Sequence, residues 1–265
     1  MRLHPAAPVR LGPGHTVPRA VGGGPAEPSA VPARSPRPSD VPLRLAVVDM
    51  SGTSIVEGGL QDTAFSEALA AHGVTPGTPE HDRAVRTFEQ QRGTSRSAVF
   101  REVFPERAAA LAATRSFETA FDRLLAEHGV RAVPGAEEAL TRLRELGLDL
   151  CLCTGYARHT QNMILESLGW MGLADLSLSP DDAGRGVPYP DMTLTALLAL
   201  DHEDVRSVLT VGDTAADIRA GRRAGAGLVV GVRSGEGDAG QLWEAGADHV
   251  VDSLGQVPGL VEVRG

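Results

Sequence analysis

Asp49 closes an apolar run, Leu45 to Val48, and is followed by Met50-Ser51-Gly52-Thr53. The run is short, partly β-branched and free of polar residues, which predicts a buried parallel strand with Asp49 at its carboxyl end. Open α/β sheets place their ligand crevice at that edge. A carboxylate there can hold a metal or attack an electrophile. Gly52 allows a tight turn, and Thr53 offers a hydroxyl and an N–H to an anion. An aspartate at a strand end also serves as a cap or turn residue, so this segment alone leaves chemistry and structure evenly matched.

Two further segments carry the same signature. Leu148 to Cys153 is apolar and ends in Thr154-Gly155. A hydroxyl and exposed N–H groups before a helix make an anion pocket, although a threonine here serves equally as a plain N-cap. Ser207 to Val211 ends in Gly212-Asp213-Thr-Ala-Ala-Asp217. Asp213 and Asp217, four apart on a strand end and a first helical turn, can share one side of that turn. Beside Asp49 they would form an oxygen-rich cluster, and carboxylates that close repel unless a hard cation such as Mg²⁺ neutralises them. A Pro-rich loop, Gly184-Arg185-Gly-Val-Pro-Tyr-Pro-Asp191, lies between these segments.

The elements that must position these residues alternate from Leu43 onward. Strands are predicted at 44–49, 148–153, 175–179, 207–211, 227–232 and 248–251. Helices are predicted at 135–146, 157–169, 190–200, 214–224 and 238–245. The expected fold is α/β, a doubly wound Rossmann-like parallel sheet. Residues 62–130 break the alternation with helical periodicity alone: Phe65 and Leu69, Val85 and Phe88, Val99 and Val103, Phe117, Phe121, Leu124 and Leu125. This predicts a helical cap inserted after the first strand and lying over the crevice. The core is expected at 43–61 and 131–265. Residues 1–42, rich in Pro, Gly, Ala and Arg, read as a disordered tail, with a transit peptide as the formal alternative.

Composition narrows the function. The chain has 265 residues, 42% hydrophobic and 22% charged, enough for a real core. Its net charge of −9 argues against a broad nucleic-acid footprint. No run of 18 apolar residues predicts a membrane span. Cys151 and Cys153 are too few for a disulfide scaffold or a zinc site and read as buried thiols in a reducing cytoplasm. All 25 basic residues are arginine, so no side chain here can form a lysine Schiff base. The acids and glycines from Ser234 to Gly240 read as a surface loop.

Strand-Asp-x-x-Gly-Thr, strand-Thr-Gly, Pro-x-Pro-Asp and Gly-Asp-Thr-x-x-Asp, in this order, resemble the haloacid dehalogenase superfamily of aspartate-nucleophile hydrolases over about residues 43–252. Asp49-Met-Ser-Gly-Thr-Ser54 is similar to the Asp-Met-Ala-Gly-Thr-Thr of the phosphonoacetaldehyde hydrolase-related, phosphonatase-like branch, as are Thr154-Gly-Tyr-Ala-Arg158 and Leu168-Gly-Trp170. The resemblance implies that Asp49 is nucleophile and Mg²⁺ ligand. Ser51 would give its backbone carbonyl to the metal, Asp213 and Asp217 would complete the metal site, and Thr154 would hold the transferred group. Gly52, Thr53, Gly155 and Arg158 are further candidates for substrate contact.

Three departures shape the expected activity. Phosphatases of this superfamily carry a second aspartate, two residues after the nucleophile, that protonates the leaving group and later activates water. Ser51 stands there, and a serine hydroxyl titrates too high for that task; losing acid–base help costs ~10²–10⁴-fold. Activated leaving groups should suffer least. True phosphonatases use a cap lysine in a Gly-x-x-Lys segment, whereas the similar segment here is Gly93-Thr-Ser-Arg96. Arg96 cannot form the imine but can clamp a carboxylate or phosphate. The basic residue expected before Pro-x-Pro-Asp is Val187, leaving Arg185 as the candidate catalytic cation, with Arg158 as another candidate.

The expected function is Mg²⁺-dependent hydrolysis of a small phosphorylated or phosphonate metabolite. A phosphoglycolate-type phosphatase and a dehalogenase are alternative enzymes. From another class, a catalytically weakened binding or regulatory module on the same scaffold is the competing reading. Expected partners are a small phosphorylated metabolite, with neither nucleic acid nor membrane, and a homodimer is left open.

Overall fold

The structure, a computed structural model, describes residues 41–264 apart from Arg92. The tail expected at 1–42 lies outside the described residues but for Val41 and Pro42.

The first strand, β1 (Leu45–Asp49), is buried along its first four residues. Its side chains alternate between two apolar clusters: Ala46 and Val48 join one, Leu45 and Val47 the other. Both faces of the strand are therefore covered, which explains why the sequence shows no polar alternation. A short strand, β2 (Ile55–Val56), follows. Then come four helices, α1 (Leu60–Ala71), α2 (Pro79–Gln90), α3 (Arg96–Val103) and α4 (Arg107–His128). The chain returns through β3 (Arg131–Ala132), which pairs antiparallel with β2. The insertion thus enters and leaves through adjacent strands of one small ladder.

From there helix and strand alternate: α5 (Ala136–Glu145), β4 (Asp149–Cys153), α6 (Arg158–Leu168), β5 (Leu176–Leu178), α7 (Pro180–Ala183) and α8 (Asp191–Ala199). They continue with β6 (Val208–Gly212), α9 (Ala215–Ala224), β7 (Leu228–Val232), α10 (Ala239–Ala245), β8 (His249–Val251) and α11 (Val257–Glu262). The main sheet has the order β5-β4-β1-β6-β7-β8, and every pairing in it is parallel. This is the doubly wound α/β sheet expected from the alternation. Each of its six strands falls within one residue of its predicted span. The β2–β3 ladder and α11 were not legible, because two-residue strands and a six-residue helix carry too little periodicity.

In the insertion, α1 and α3 both pack on α4. Aromatic rings tie the four helices together: Phe65 of α1 stacks on Phe88 of α2 at 4.2 Å and leans on Phe100 of α3 at 5.2 Å, Phe100 meets Phe117 of α4 at 6.1 Å, and Phe117 stacks on Phe121 at 5.9 Å. These rings belong to the same apolar cluster as one face of the sheet. Burying a phenylalanine contributes about 1.5–3 kcal/mol, so five such rings hold the insertion firmly. Cys151 and Cys153 lie buried on one face of β4 with their sulfurs 3.7 Å apart. Among the described residues no helix is long and apolar enough to cross a membrane.

Candidate active site

A parallel sheet ends all its strands at one edge, and four neighbouring strands build the site there. In register, Asp49 of β1 lies beside Cys153 of β4, so Thr154 and Gly155 follow immediately next to it. On the other side Val48 pairs with Val211 of β6, two residues before Asp213. Gly212 pairs with Gly231 of β7, whose following loop carries Ser234, Gly235 and Glu236. All of these except Cys153, Val48, Val211, Gly212 and Gly231 line a cavity of about 260 Å³.

Asp49, Asp213 and Asp217 each bring a carboxylate oxygen to within 4.8 Å of the others. Local structure places each one. Met50 donates its N–H to the Cys153 carbonyl, which continues the strand pairing one residue past Asp49. Asp217 is the N3 residue of a capping box on α9: its carboxylate accepts the Thr214 N–H at 3.0 Å, while Thr214 Oγ1 accepts the Asp217 N–H at 3.3 Å. Asp213 is 2% exposed and held from two sides, by the Thr53 hydroxyl at 3.3 Å and the Glu236 N–H at 2.9 Å. Gly52, at φ 77°, closes the turn after Asp49, and a Cβ there would lie 2.4 Å from Asp213 Oδ2. Only glycine meets both demands.

The electrostatics of this cluster favour a cation. Burial raises the Asp49 carboxyl well above its ordinary value, and the charges of Asp217 and Asp213 raise it further. Burial and then Asp217 push Asp213 up to about 8. Burial pushes Asp217 up to about 6, against the lowering effect of its bonds to Thr214. Among the described residues lining the cavity there are five carboxylates and one guanidinium, that of Arg96. A three-oxygen donor set that resists being charged fits a hard divalent cation.

A second network forms the cavity wall toward the insertion. The Ser51 hydroxyl donates to Glu57 Oε1 and accepts from Gln61 Nε2 at 2.8 Å. Gln61 Oε1 accepts from the Arg96 guanidinium, which lies over the Phe88 ring at 5.0 Å. Tyr156 donates its hydroxyl to Glu57 Oε1 at 2.9 Å and stacks on Phe121 at 4.6 Å. Burial, then the Glu57 charge, raises the Tyr156 phenol well above its ordinary value, so it remains a donor. The insertion meets the core here. Gly93, at φ 83°, approaches so closely that a Cβ would lie 2.6 Å from Thr214 Oγ1.

The structure thus gathers Asp49, Ser51, Gly52, Arg96, Thr154, Gly155, Asp213 and Asp217 around one cavity. Three other candidates stand elsewhere. Arg185 makes a two-pronged ion pair with Asp191, at 2.7 and 2.8 Å, and stacks on Tyr189 at 4.3 Å; it does not line the cavity. Arg158 pairs with Asp182, away from the cavity lining. Thr53 is fully buried and gives its N–H to the Met50 carbonyl at 3.3 Å and its hydroxyl to Asp213, so it orients an acid rather than facing the cavity. The loop after β7, expected at the surface, does expose Glu236 and Asp238, but it also serves the site: Ser234, Gly235 and Glu236 line the cavity and Ser234 donates to the Gly52 carbonyl at 2.8 Å. Glu57, Gln61 and Tyr156 belong to no spacing pattern in the sequence. Only Tyr156, next to Thr154-Gly155, lay inside a recognised segment.

Comparison with known proteins identifies the family. A profile of the haloacid dehalogenase-like hydrolases matches residues 43–225. The chain belongs to the haloacid dehalogenase-like hydrolases. It is 29% identical over 245 residues to the phosphonoacetaldehyde hydrolase of Nitratidesulfovibrio vulgaris, covering 80% of this chain and 87% of that one. It is 30% identical over 194 residues to the phosphonoacetaldehyde hydrolase of Bordetella pertussis, covering 69% and 70%. The crystal structure of a hydrolase from Pseudomonas syringae superposes with a TM-score of 0.71 at 26% identity, covering 83% of this chain and 99% of that one. This haloacid dehalogenase-like hydrolase, related to phosphonoacetaldehyde hydrolases, contains no lysine.

Proposed function

We propose that this hydrolase is Mg²⁺-dependent, acts on a small phosphorylated or phosphonate metabolite in the cytoplasm, and works through an aspartyl-phosphate on Asp49. The observation that carries the reading is the carboxylate cluster at the ends of β1 and β6, in a cavity with one guanidinium among its described lining residues. A phosphoryl group would not enter that field without a compensating cation.

Asp49, Asp213 and Asp217, with the Ser51 carbonyl, are the groups that would hold Mg²⁺. When bound, the ion supplies positive charge that screens the carboxylates and the phosphoryl oxygens from one another. Asp49 then attacks phosphorus with one carboxylate oxygen while the leaving group departs from the opposite side. Thr154 would hold a transferred oxygen, a role supported by its Oγ1 accepting the Tyr156 N–H at 3.2 Å, which leaves its own O–H to donate. Ser51 cannot protonate the leaving group, because its hydroxyl proton is already given to Glu57. Substrates whose leaving group is stable as an anion, such as acyl or aryl phosphates, are therefore favoured over alkyl phosphates. Arg96 would clamp a carboxylate or phosphate on the substrate. Without a lysine, cleavage of phosphonoacetaldehyde through a lysine imine is not the activity we assign.

Phosphate release from acetyl phosphate, para-nitrophenyl phosphate, phosphoglycolate and phosphonoacetaldehyde, with Mg²⁺ or EDTA, tests this. Release should need both Mg²⁺ and Asp49 and should be fastest for acetyl and aryl phosphates. Binding of these compounds without release, in a folded protein that binds Mg²⁺, would support the binding-module reading. Efficient phosphonoacetaldehyde cleavage would overturn the argument from the absent lysine.

A further inference from the structure

We propose that Glu57 takes the proton from the water that hydrolyses the aspartyl-phosphate, doing from six residues away what the carboxylate missing at position 51 would do. The proposal rests on the reading that Asp49 is phosphorylated.

Its basis is the placement of Glu57. The chain turns back after Ser51, bridges from Ser51 to Ile55 and delivers Glu57 to the end of β2. There its carboxylate lies one hydrogen bond beyond the Ser51 hydroxyl. A serine side chain is one bond shorter than an aspartate, and Glu57 fills the distance a serine leaves open. Three donors converge on a single oxygen: Ser51 Oγ, Tyr156 Oη at 2.9 Å and Gln61 Nε2 at 3.4 Å all reach Oε1. This fixes the plane of the carboxylate and leaves Oε2 with no hydrogen-bond partner among the described residues, in a side chain that lines the same cavity as Asp49. Such a carboxylate is oriented but still able to accept, which is what a base needs. Glu57 is also near enough for its charge to be felt at Asp49.

The step balances within the site. The water oxygen bonds to phosphorus, and the bond from phosphorus to the Asp49 oxygen breaks. Its electron pair returns to the Asp49 carboxylate, and the water proton passes to Glu57 Oε2. Inorganic phosphate leaves, and Glu57 returns the proton to solvent. Other groups are less suited. Tyr156 is a donor already committed to Glu57, and Asp213 and Asp217 belong to the acid cluster. Glu236 also lines the cavity, from the loop after β7, and Glu236→Gln serves as the control.

Rapid quenching with acetyl phosphate and Mg²⁺ separates the two half-reactions, because acetate leaves without a proton. Wild type should phosphorylate and dephosphorylate. Glu57→Gln should still phosphorylate but release phosphate ~10²–10⁴-fold more slowly, so that phosphoenzyme accumulates. Adding Ser51→Asp to Glu57→Gln should restore release at least about tenfold, within the range typical of a positioned proton-transfer group. A merely structural Glu57 would slow both halves and would not be rescued. If Glu57→Gln does not fold, Glu57→Ala supplies the same test, with exogenous formate expected to accelerate dephosphorylation. Release at the wild-type rate in Glu57→Gln, or slowing in Glu236→Gln instead, overturns the proposal. Absence of phosphoenzyme in wild type overturns the aspartyl-phosphate reading, and this proposal with it.

Discussion

Asp49 is half-buried, where its own charge is opposed. Desolvation and the nearby Asp217 and Asp213 raise its carboxyl well above the ordinary value. Replacing it by asparagine keeps the shape and removes one of three crowded charges. Asp49→Asn should therefore abolish phosphate release and yet raise the melting temperature of the metal-free protein by a few degrees, on the scale of ~2–4 °C per kcal/mol. Calorimetry in EDTA checks this, and an unchanged or lower melting temperature would show that the cluster is not strained. At this scale legibility followed sequence distance. Asp49, Asp213 and Asp217 were readable because each ends a strand or starts a helix. Glu57 was not, since its place depends on a two-residue ladder and on Tyr156, 99 positions away. Arg185 stands outside the cavity lining, because Asp191, six residues on, captures its guanidinium in a two-pronged pair that no spacing rule reveals.

Among the elements, two junctions hold the site together. One is the start of α9, where the Thr214–Asp217 capping box ties a helix end to a cluster acid. Thr214→Ala should cost about 0.5–2 kcal/mol, the usual value of an N-cap, and should weaken Mg²⁺ binding by releasing Asp217. Denaturant unfolding read beside Mg²⁺ titration separates the two effects. The other is the turn between α2 and α3, where Gly93 presses against Thr214 with φ 83°. Gly93→Ala meets both a forbidden backbone region, at roughly 1–2 kcal/mol, and a side chain 2.6 Å away. It should lower kcat/KM more than global stability, because the turn that yields is the one carrying Thr94 and Arg96 to the cavity. Equal loss of stability and kcat/KM would place the strain in the core instead. The six strands of the main sheet and the five helices predicted among them were legible to within one residue, because both faces of β1 are apolar and those helices are long enough to show a period. The loop after β7 was read as solvent-facing from its glycines and acids. In the fold those glycines are needed, since a Cβ at Gly235 would lie 2.0 Å from Asp213 Oδ2.

Across the whole molecule, the acid cluster links metal, pH and stability. Asp213 and Asp217 have folded values of about 8 and about 6, against an ordinary value of 3.8. The folded protein therefore holds these protons more tightly than the unfolded chain does. The stability that this provides is complete below pH ~4 and is lost as pH rises through 6 to 8. Other groups add their own dependence, so the difference between conditions is the informative quantity. The rise in melting temperature produced by Mg²⁺ over EDTA should grow from pH 6 to pH 8, since the cation takes the place of those protons. A Mg²⁺ increment that shrinks with pH would contradict the assignment of these acids as its ligands. The central claim is tested most directly by covalent trapping. The protein is incubated with ³²P-labelled acetyl phosphate and Mg²⁺, quenched in acid, reduced with borohydride and mapped by mass spectrometry. Acid-stable label on the protein before reduction, and homoserine in place of Asp49 after it, because borohydride expels the phosphate, both absent with EDTA and in Asp49→Asn, are the predicted result. Rapid phosphate release with no label at Asp49, persisting in Asp49→Asn, would contradict it.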